Sequence, residues 1–161
     1  MNIAYLLIGG NLGDREQNLA DAVTHIVRAA GGELLACSAL YETAAWGNTE
    51  QPAFLNQALQ ISTRFTAATL LKKMLAVETG LGRIRAEKFG PRVIDIDIIF
   101  FNEAIIHTKQ LVVPHPYMQD RRFVLTPLQE IAPGYRHPVL QKTVTELLEI
   151  CPDDLAVTKY S

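Results

Sequence analysis

The chain has 161 residues, of which 48% are hydrophobic and 20% are charged, a composition typical of a globular protein with one substantial core. Its formal net charge of -2 argues against a nucleic-acid partner, because nucleic-acid-binding proteins usually carry a basic excess. No apolar run approaches the ~20 residues that a membrane-spanning helix needs, so we expect no membrane partner either. Cys37 and Cys151 match no metal or redox spacing, which favours reduced thiols in a cytoplasmic protein.

The secondary structure is predicted from hydrophobic spacing and from the residues that begin and end each segment. The first helix is expected to begin at the N-cap Asp14, with Gln17 three residues on, and to end at Gly31 and Gly32. The start of the chain lacks the basic segment of a signal peptide and leads directly into the first strand. In chain order the predicted elements are a strand (2–8), this helix, two strands (34–42 and 54–63), a helix (66–81), a strand (93–101), a hairpin (102–106), an extended segment (110–116) and two helices (122–131 and 144–150).

The order of these elements predicts the fold. Strand-helix-strand-strand-helix-strand is the order of a ferredoxin-like sheet, and the two C-terminal helices can cover its second face. We therefore predict one α+β domain over residues 1–161, a ferredoxin-like antiparallel sheet with helices on both faces, or three-layer α/β/α sandwich. A dinucleotide-binding fold is disfavoured, because Gly9, Gly10 and Gly13 do not have the G-x-G-x-x-G spacing.

The fourth main strand contains two acidic residues in its most apolar stretch. Asp95 and Asp97, in GPRVIDIDIIFF, point to the same face because side chains alternate along a strand. Two carboxylates side by side on a half-buried surface repel each other and lose hydration, so a positive partner is expected. Either each is paired with a lysine or arginine, or both bind a divalent metal such as Mg2+ together with substrate phosphates.

The loop that leads into this strand favours the metal interpretation. Residues 83–92 hold three arginines and a lysine against one glutamate, and glycine and proline residues bracket them. Such a loop is either a solvated surface or a phosphate-binding lid, and its position beside the carboxylate pair favours the lid. His115, held between two prolines, and the nearby Arg121 and Arg122 extend this basic character. Together these features indicate a nucleoside triphosphate as ligand.

At this point the sequence resembles the 6-hydroxymethyl-7,8-dihydropterin pyrophosphokinase family over nearly its whole length. The G-P-R-x-x-D-x-D stretch is the most specific part of the resemblance. The other matching stretches are IGGNLGD from Ile8, YET from Tyr41 with Trp46-Gly47, QPAFLN from Gln51, Glu78, Gly82-Arg83, VPH from Val113 and RRF from Arg121.

The resemblance implies an ATP:dihydropterin diphosphokinase of folate biosynthesis, which transfers the diphosphoryl group of ATP to the pterin hydroxymethyl oxygen and releases AMP. It implies two Mg2+ ions on the metal ligands Asp95 and Asp97, which with Arg83 and Arg92 form the catalytic set. The implied ATP contacts are Glu78, Arg83, Arg85, Arg92, Ile98, His115, Tyr117 and Arg121. The implied pterin contacts are Thr43, Trp46, Phe54, Asn56 and Phe123.

Several positions depart from the family pattern, but none of them removes a metal ligand, so we expect an active enzyme. We also expect a monomer whose partners are the small-molecule substrates. The main alternative is a ferredoxin-like module that binds a small molecule without catalysis, and formation of AMP would distinguish the two. The departures are Phe54 for a tyrosine, Phe89 for a tryptophan, Ala44-Ala45 for prolines and Gln110 for an arginine.

Overall fold

The computed structural model describes residues 1–44, 51–82 and 93–160. Trp46, Arg83, Arg85 and Arg92, four of the predicted site residues, lie outside these ranges. Over the described residues the strands are β1 (Asn2–Gly10), β2 (Leu34–Cys37), β3 (Tyr41–Thr43), β4 (Phe54–Thr63), β5 (Asp95–Phe101), β6 (Ile106–His107), β7 (Val112–Val113) and β8 (Val157–Lys159). The α-helices are α1 (Arg15–Ala30), α2 (Ala67–Gly80), α3 (Arg122–Ile131) and α4 (Val144–Glu149), and Met118–Asp120 form a short 3-10 helix.

The main sheet is antiparallel, and β1 lies inside it. The strand order is β5-β1-β4-β3-β8, with β2 also paired to β4, while β6 and β7 form a separate two-stranded ribbon. β1 pairs with β4 along its whole length and with β5 on its other side. Consequently β5, which carries the acidic pair, is an edge strand of this sheet among the described residues.

Alternate residues of β1 belong to two separate hydrophobic clusters. Leu6 and Ile8 are fully buried in a cluster that includes the apolar residues of α1 and α2. Leu7, between them, packs in a second cluster with α3 and α4. Burying one such side chain contributes about 1.5–3 kcal/mol, so both clusters stabilise the sheet substantially. The protein is therefore a mixed α/β structure with an antiparallel sheet and, in the described part of the chain, four α-helices.

The predicted limits of the first helix are confirmed. The side chain of Asp14 accepts a hydrogen bond from the Gln17 amide at 3.1 Å, as an N-cap does. Gly31 ends the helix in the left-handed conformation with φ 65°, which favours glycine. None of the helices in the described residues is long and apolar enough to span a membrane.

The prediction of one continuous strand over residues 34–42 is wrong, because residues 38–40 separate β2 from β3. The Ser38 hydroxyl accepts from the Ala58 amide at 2.9 Å, and the Ala39 amide donates to the Glu130 carboxylate at 2.9 Å. Side chains thus replace part of the regular backbone ladder at this point. β8, a three-residue strand that pairs with β3, was not predicted.

Candidate active site

The two aspartates of β5 face one cavity. Asp95 and Asp97 lie two residues apart in the strand, so their side chains are on the same face, and both line a cavity of about 1270 Å³. In the neighbouring strand Gly9 is opposite Asp95 and Leu7 is opposite Asp97, and these residues line the same cavity. The acidic pair is therefore accessible to a ligand in the cavity.

The donor set fits a hard cation that shares its coordination with a substrate. No group of three or more His, Cys, Asp or Glu side chains is arranged to hold a metal by itself within the described ranges. A pair of carboxylates beside a cavity suits Mg2+, which usually binds one or two carboxylates and completes its octahedron with phosphate oxygens and water.

Glu78 lies behind the aspartates and is not among the residues that line the cavity. Its side chain is only 1% exposed, and its Oε2 accepts the Ile96 amide of β5 at 2.6 Å. Ile96 is the residue between the two aspartates. A hydrogen bond of this length fixes the backbone that carries both carboxylates. The geometry therefore points to a positioning role, whereas the predicted ATP contact of Glu78 stays a prediction.

His115 lines the cavity as a neutral hydrogen-bonding group. Its amide donates to the Ile99 carbonyl at 3.0 Å, which holds it beside β5. Burial, followed by the nearby Arg121 guanidinium, lowers the pKa of His115 to about 4, although Asp95 acts in the opposite direction. Its Nδ1 accepts the Tyr117 amide at 3.3 Å, so in the neutral ring Nε2 carries the proton. His115 can thus donate one hydrogen bond from Nε2 without carrying charge.

The Arg121 guanidinium supplies positive charge to the cavity wall. Its central carbon lies 5.3 Å from the ring centroid of Tyr117 and 5.9 Å from that of Phe123, distances at which cation–π attraction operates. The Tyr117 side chain is 57% exposed and does not line the cavity. Ile98 is buried in the cluster with α1 and α2. The ATP contacts predicted for Tyr117 and Ile98 therefore stay predictions.

A second group of predicted residues lines the same cavity. Phe54 and Asn56 lie two residues apart on one face of β4. Phe123 belongs to α3, and Thr43 is the last residue of β3. Asn56 is buried opposite Gly9, and a Cβ at Gly9 would lie 2.2 Å from the Asn56 Oδ1. Only a glycine leaves room for the amide there. The cavity thus joins an amide and two aromatic rings to the acidic pair.

Polar contacts around the start of β4 were not predicted from the sequence. The buried Asn11, within the IGGNLGD motif, donates from Nδ2 to the Gln51 side chain and the Pro52 carbonyl, both at 3.0 Å. Arg15 binds the Ala53 carbonyl at 2.8 Å and the Glu42 carboxylate at 2.7 Å. These bonds fix the segment that precedes Phe54. The motif therefore helps to fix residues 51–53 as well as ending β1.

The cavity-lining side of α2 was also not predicted, although the pattern of apolar residues in this helix indicated it. Leu70 and Met74 are fully buried, whereas Leu71 and Leu75, one position further on, are partly exposed and line the cavity. The apolar arc of the helix is thus wider than core packing requires. Other lining residues outside the predicted set are Thr66, Ala67, Ala68, Lys72 and Thr79 from this region and Ile106, Thr108 and Leu111 near β6 and β7.

Comparison with known proteins gives consistent matches. A family model described as 7,8-dihydro-6-hydroxymethylpterin-pyrophosphokinase (HPPK) matches residues 5–133. The 2-amino-4-hydroxy-6-hydroxymethyldihydropteridine pyrophosphokinase of Methylorubrum extorquens is 46% identical over 133 residues, which cover 83% of this chain and 84% of the relative. The Bacillus subtilis protein of the same name is 45% identical over 130 residues, or 81% of this chain and 78% of the relative.

The fold also matches solved structures. The Plasmodium falciparum HPPK-DHPS wild type with pteroate superposes with a TM-score of 0.74 at 18% identity. The match covers 92% of this chain but 42% of that longer protein. At this identity the likeness shows the shared fold alone.

Proposed function

Because the chain belongs to the 7,8-dihydro-6-hydroxymethylpterin-pyrophosphokinase family, we propose that it transfers the β,γ-diphosphoryl group of ATP to a reduced pterin and releases AMP. Membership makes the protein a transferase of folate biosynthesis. In the proposed reaction the hydroxymethyl oxygen of 6-hydroxymethyl-7,8-dihydropterin attacks the β-phosphorus, and the bridging oxygen leaves with AMP. The observation that carries the proposal is that one cavity joins two carboxylates to an amide and two aromatic rings.

In this proposal Asp95 and Asp97 hold two Mg2+ ions. When bound, such ions neutralise phosphate oxygens and offset the charge that develops during transfer. The residues suit the role because both carboxylates are on the cavity face of β5. Glu78 supports them indirectly, since it holds the Ile96 amide between them at 2.6 Å.

Arginine and histidine side chains orient the triphosphate. Arg121 offers a charged fork for phosphate oxygens, and His115 offers the Nε2 proton of a neutral ring. The family resemblance assigns Arg83, Arg85 and Arg92 to the same task. Positive groups on several sides of the phosphates stabilise the transition state more than the ground state, because charge spreads over the transferred group.

The apolar end of the cavity binds the adenine ring. Leu71 and Leu75 of α2 lie on one side, and Ile106 and Leu111 belong to the segment that leads through the β6–β7 ribbon. A flat, largely apolar ring gains from leaving water at such a surface. Gln110, where some family members carry an arginine, also lines this region.

The pterin binds at the end of the cavity that β3, β4 and α3 form. Phe54 and Phe123 pack on the faces of the flat bicyclic ring, and Asn56 forms hydrogen bonds with its edge. The Thr43 hydroxyl already donates to the Ala156 carbonyl at 3.0 Å, so its oxygen serves as an acceptor for the pterin. The resemblance adds the backbone around Trp46 to this set.

We also propose that the protein is a ferredoxin-like three-layer sandwich and that it is located in the cytoplasm. The strand order β5-β1-β4 followed by β2 and β3 supports a ferredoxin-like sheet, and the two hydrophobic clusters support a three-layer sandwich. Cys37 and Cys151 are free thiols, which supports a cytoplasmic enzyme.

Product analysis tests the proposed reaction. The protein is incubated with ATP, MgCl2 and 6-hydroxymethyl-7,8-dihydropterin, and nucleotides are separated by ion-exchange chromatography. We expect one AMP for each pterin diphosphate formed, and no product when EDTA replaces MgCl2. Formation of ADP would indicate a single-phosphoryl kinase, and tight pterin binding without product would support a non-catalytic binding module.

A further inference from the structure

The start of α3 is capped by a residue from the C-terminal end of the described chain. The N-cap residue of this helix, Arg121, makes no capping hydrogen bond with its side chain. Instead Asp153 accepts the Arg122 amide at its Oδ2 at 3.1 Å and the Arg122 Nε at its carbonyl oxygen at 2.8 Å. A carboxylate also interacts favourably with the positive end of the helix dipole. Asp153 therefore fixes the first turn of α3.

The same segment is attached to β3. The Oδ1 of Asp153 accepts the Leu155 amide at 3.0 Å, which orders the turn that leads to β8. The carbonyl oxygen of the following residue, Ala156, accepts a hydrogen bond from the Thr43 hydroxyl at 3.0 Å. β8 then pairs with β3, so that Val157 lies opposite Thr43. Residues 153–160 thus connect the start of α3 to the full length of β3.

The two elements that this segment connects, α3 and β3, form two walls of the pterin end of the cavity. Phe123 is the second residue of α3, Thr43 is the last residue of β3, and both line the cavity. We propose that Asp153 is a positioning residue that sets the separation of Phe123 and Thr43, and so controls pterin affinity. This assignment rests on the proposed function, and it concerns a segment beyond residues 5–133, which the family model matches.

Asp153→Ala removes the acceptor of two backbone amides at once, Arg122 and Leu155. The first turn of α3 then shifts, and the Phe123 ring moves relative to Thr43. A displaced ring loses part of its contact with the ligand, so we expect the pterin dissociation constant to rise about 10-fold, equivalent to ~1.4 kcal/mol. Asp95 and Asp97 are carried by β5, whereas Arg121 borders the first turn of α3, so the ATP dissociation constant should rise less than the pterin dissociation constant.

The test uses the full chain with MgCl2 and a non-hydrolysable ATP analogue, and pterin affinity is measured by calorimetric titration. Asp154→Ala is the matched control, because Asp154 is the exposed neighbour and the substitution removes the same charge. Asp153→Asn keeps one side-chain oxygen that can accept the Arg122 amide, so it should recover part of the lost affinity. It also serves as the test variant should Asp153→Ala fail to fold.

Three results would overturn the assignment. One is a pterin affinity of Asp153→Ala equal to that of Asp154→Ala, and another is an equal loss of pterin and ATP affinity, which indicates general destabilisation. The third is an Asp153→Asn variant no better than Asp153→Ala. A wild-type protein that neither binds nor converts the pterin would instead refute the proposed function itself.

Discussion

Asp95 of β5 and Asn56 of β4 lie in one cross-strand row of the sheet, on either side of Gly9 of β1. Neighbouring strands are ~4.8 Å apart, so the backbones of these two residues are separated by roughly 10 Å. Both side chains line the cavity, and Gly9, which lies between them, has no side chain. The sheet therefore holds the proposed metal ligand and the proposed pterin contact at a fixed spacing on one rigid surface.

Gly9→Ala should weaken pterin binding by displacing Asn56. The new Cβ would lie 2.2 Å from the Asn56 Oδ1, so the buried amide must move. We expect the pterin dissociation constant to rise about 10-fold, equivalent to loss of a hydrogen bond worth ~1.4 kcal/mol. Asn56→Ala should cause a similar rise, and the double variant should be little worse than either single variant. Gly134→Ala, at a site with no atom within 4 Å of the added Cβ, is the control.

Asp97→Asn should abolish turnover without unfolding the protein. The substitution keeps the size of the side chain but removes the charge that the proposed Mg2+ ions require. We expect AMP formation to fall by at least about 100-fold, while the melting temperature stays close to that of the wild type. Asp120→Asn removes the same charge from an exposed residue at the end of the 3-10 helix and should retain activity. A near-normal rate in Asp97→Asn would exclude Asp97 from the mechanism.

His115 should make the protein less stable in acid. Because burial lowers the pKa of His115 to about 4 from its ordinary value of 6.5, the unfolded chain binds more protons than the folded protein between these values. The free energy of unfolding therefore falls as the pH decreases from about 6.5 towards 4. His115→Gln lacks this contribution, so it should lose less stability than the wild type between about pH 7 and 4.5. Urea unfolding at the two pH values measures the difference, and equal losses would contradict the prediction.

Tyr41→Phe should remove a stabilising contact that is itself lost at high pH. The Tyr41 hydroxyl donates to the Glu130 Oε1 at 2.6 Å and so joins β3 to α3. Burial, together with the bond to Glu130 and its charge, raises the pKa of Tyr41 to about 12 from 10.0. This contribution is fully present below pH 10 and is lost as the pH rises through about 12.

At neutral pH the Tyr41→Phe variant should be less stable than the wild type by about 1 kcal/mol. The difference in free energy of unfolding between the two proteins should shrink as the pH approaches 12. Tyr117→Phe, which removes the hydroxyl of an exposed tyrosine, controls for general effects of high pH. A difference that stays constant with pH would show that the hydroxyl does not titrate with folding.

The longest secondary-structure elements were predictable because their hydrophobic patterns are local. The spacing of Leu19, Ala22 and Ile26 predicted α1, and the structure buries all three residues. β2 and β3 were predicted as one strand because the interruption depends on the Glu130 carboxylate, which belongs to a distant helix. β8 has three residues, too few for a periodic pattern, and its pairing with β3 depends on the tertiary arrangement.

The candidate site was predictable to the extent that it depends on residue types at short spacing. The sequence by itself determined that Asp95 and Asp97 share a face, because alternation along a strand requires it. The tertiary structure decided that Glu78 binds the backbone between them, that Leu71 and Leu75 face the cavity, and that Asp153 caps α3. Those contacts join residues far apart in the chain, and they depend on how the helices pack on the sheet, which no local pattern specifies.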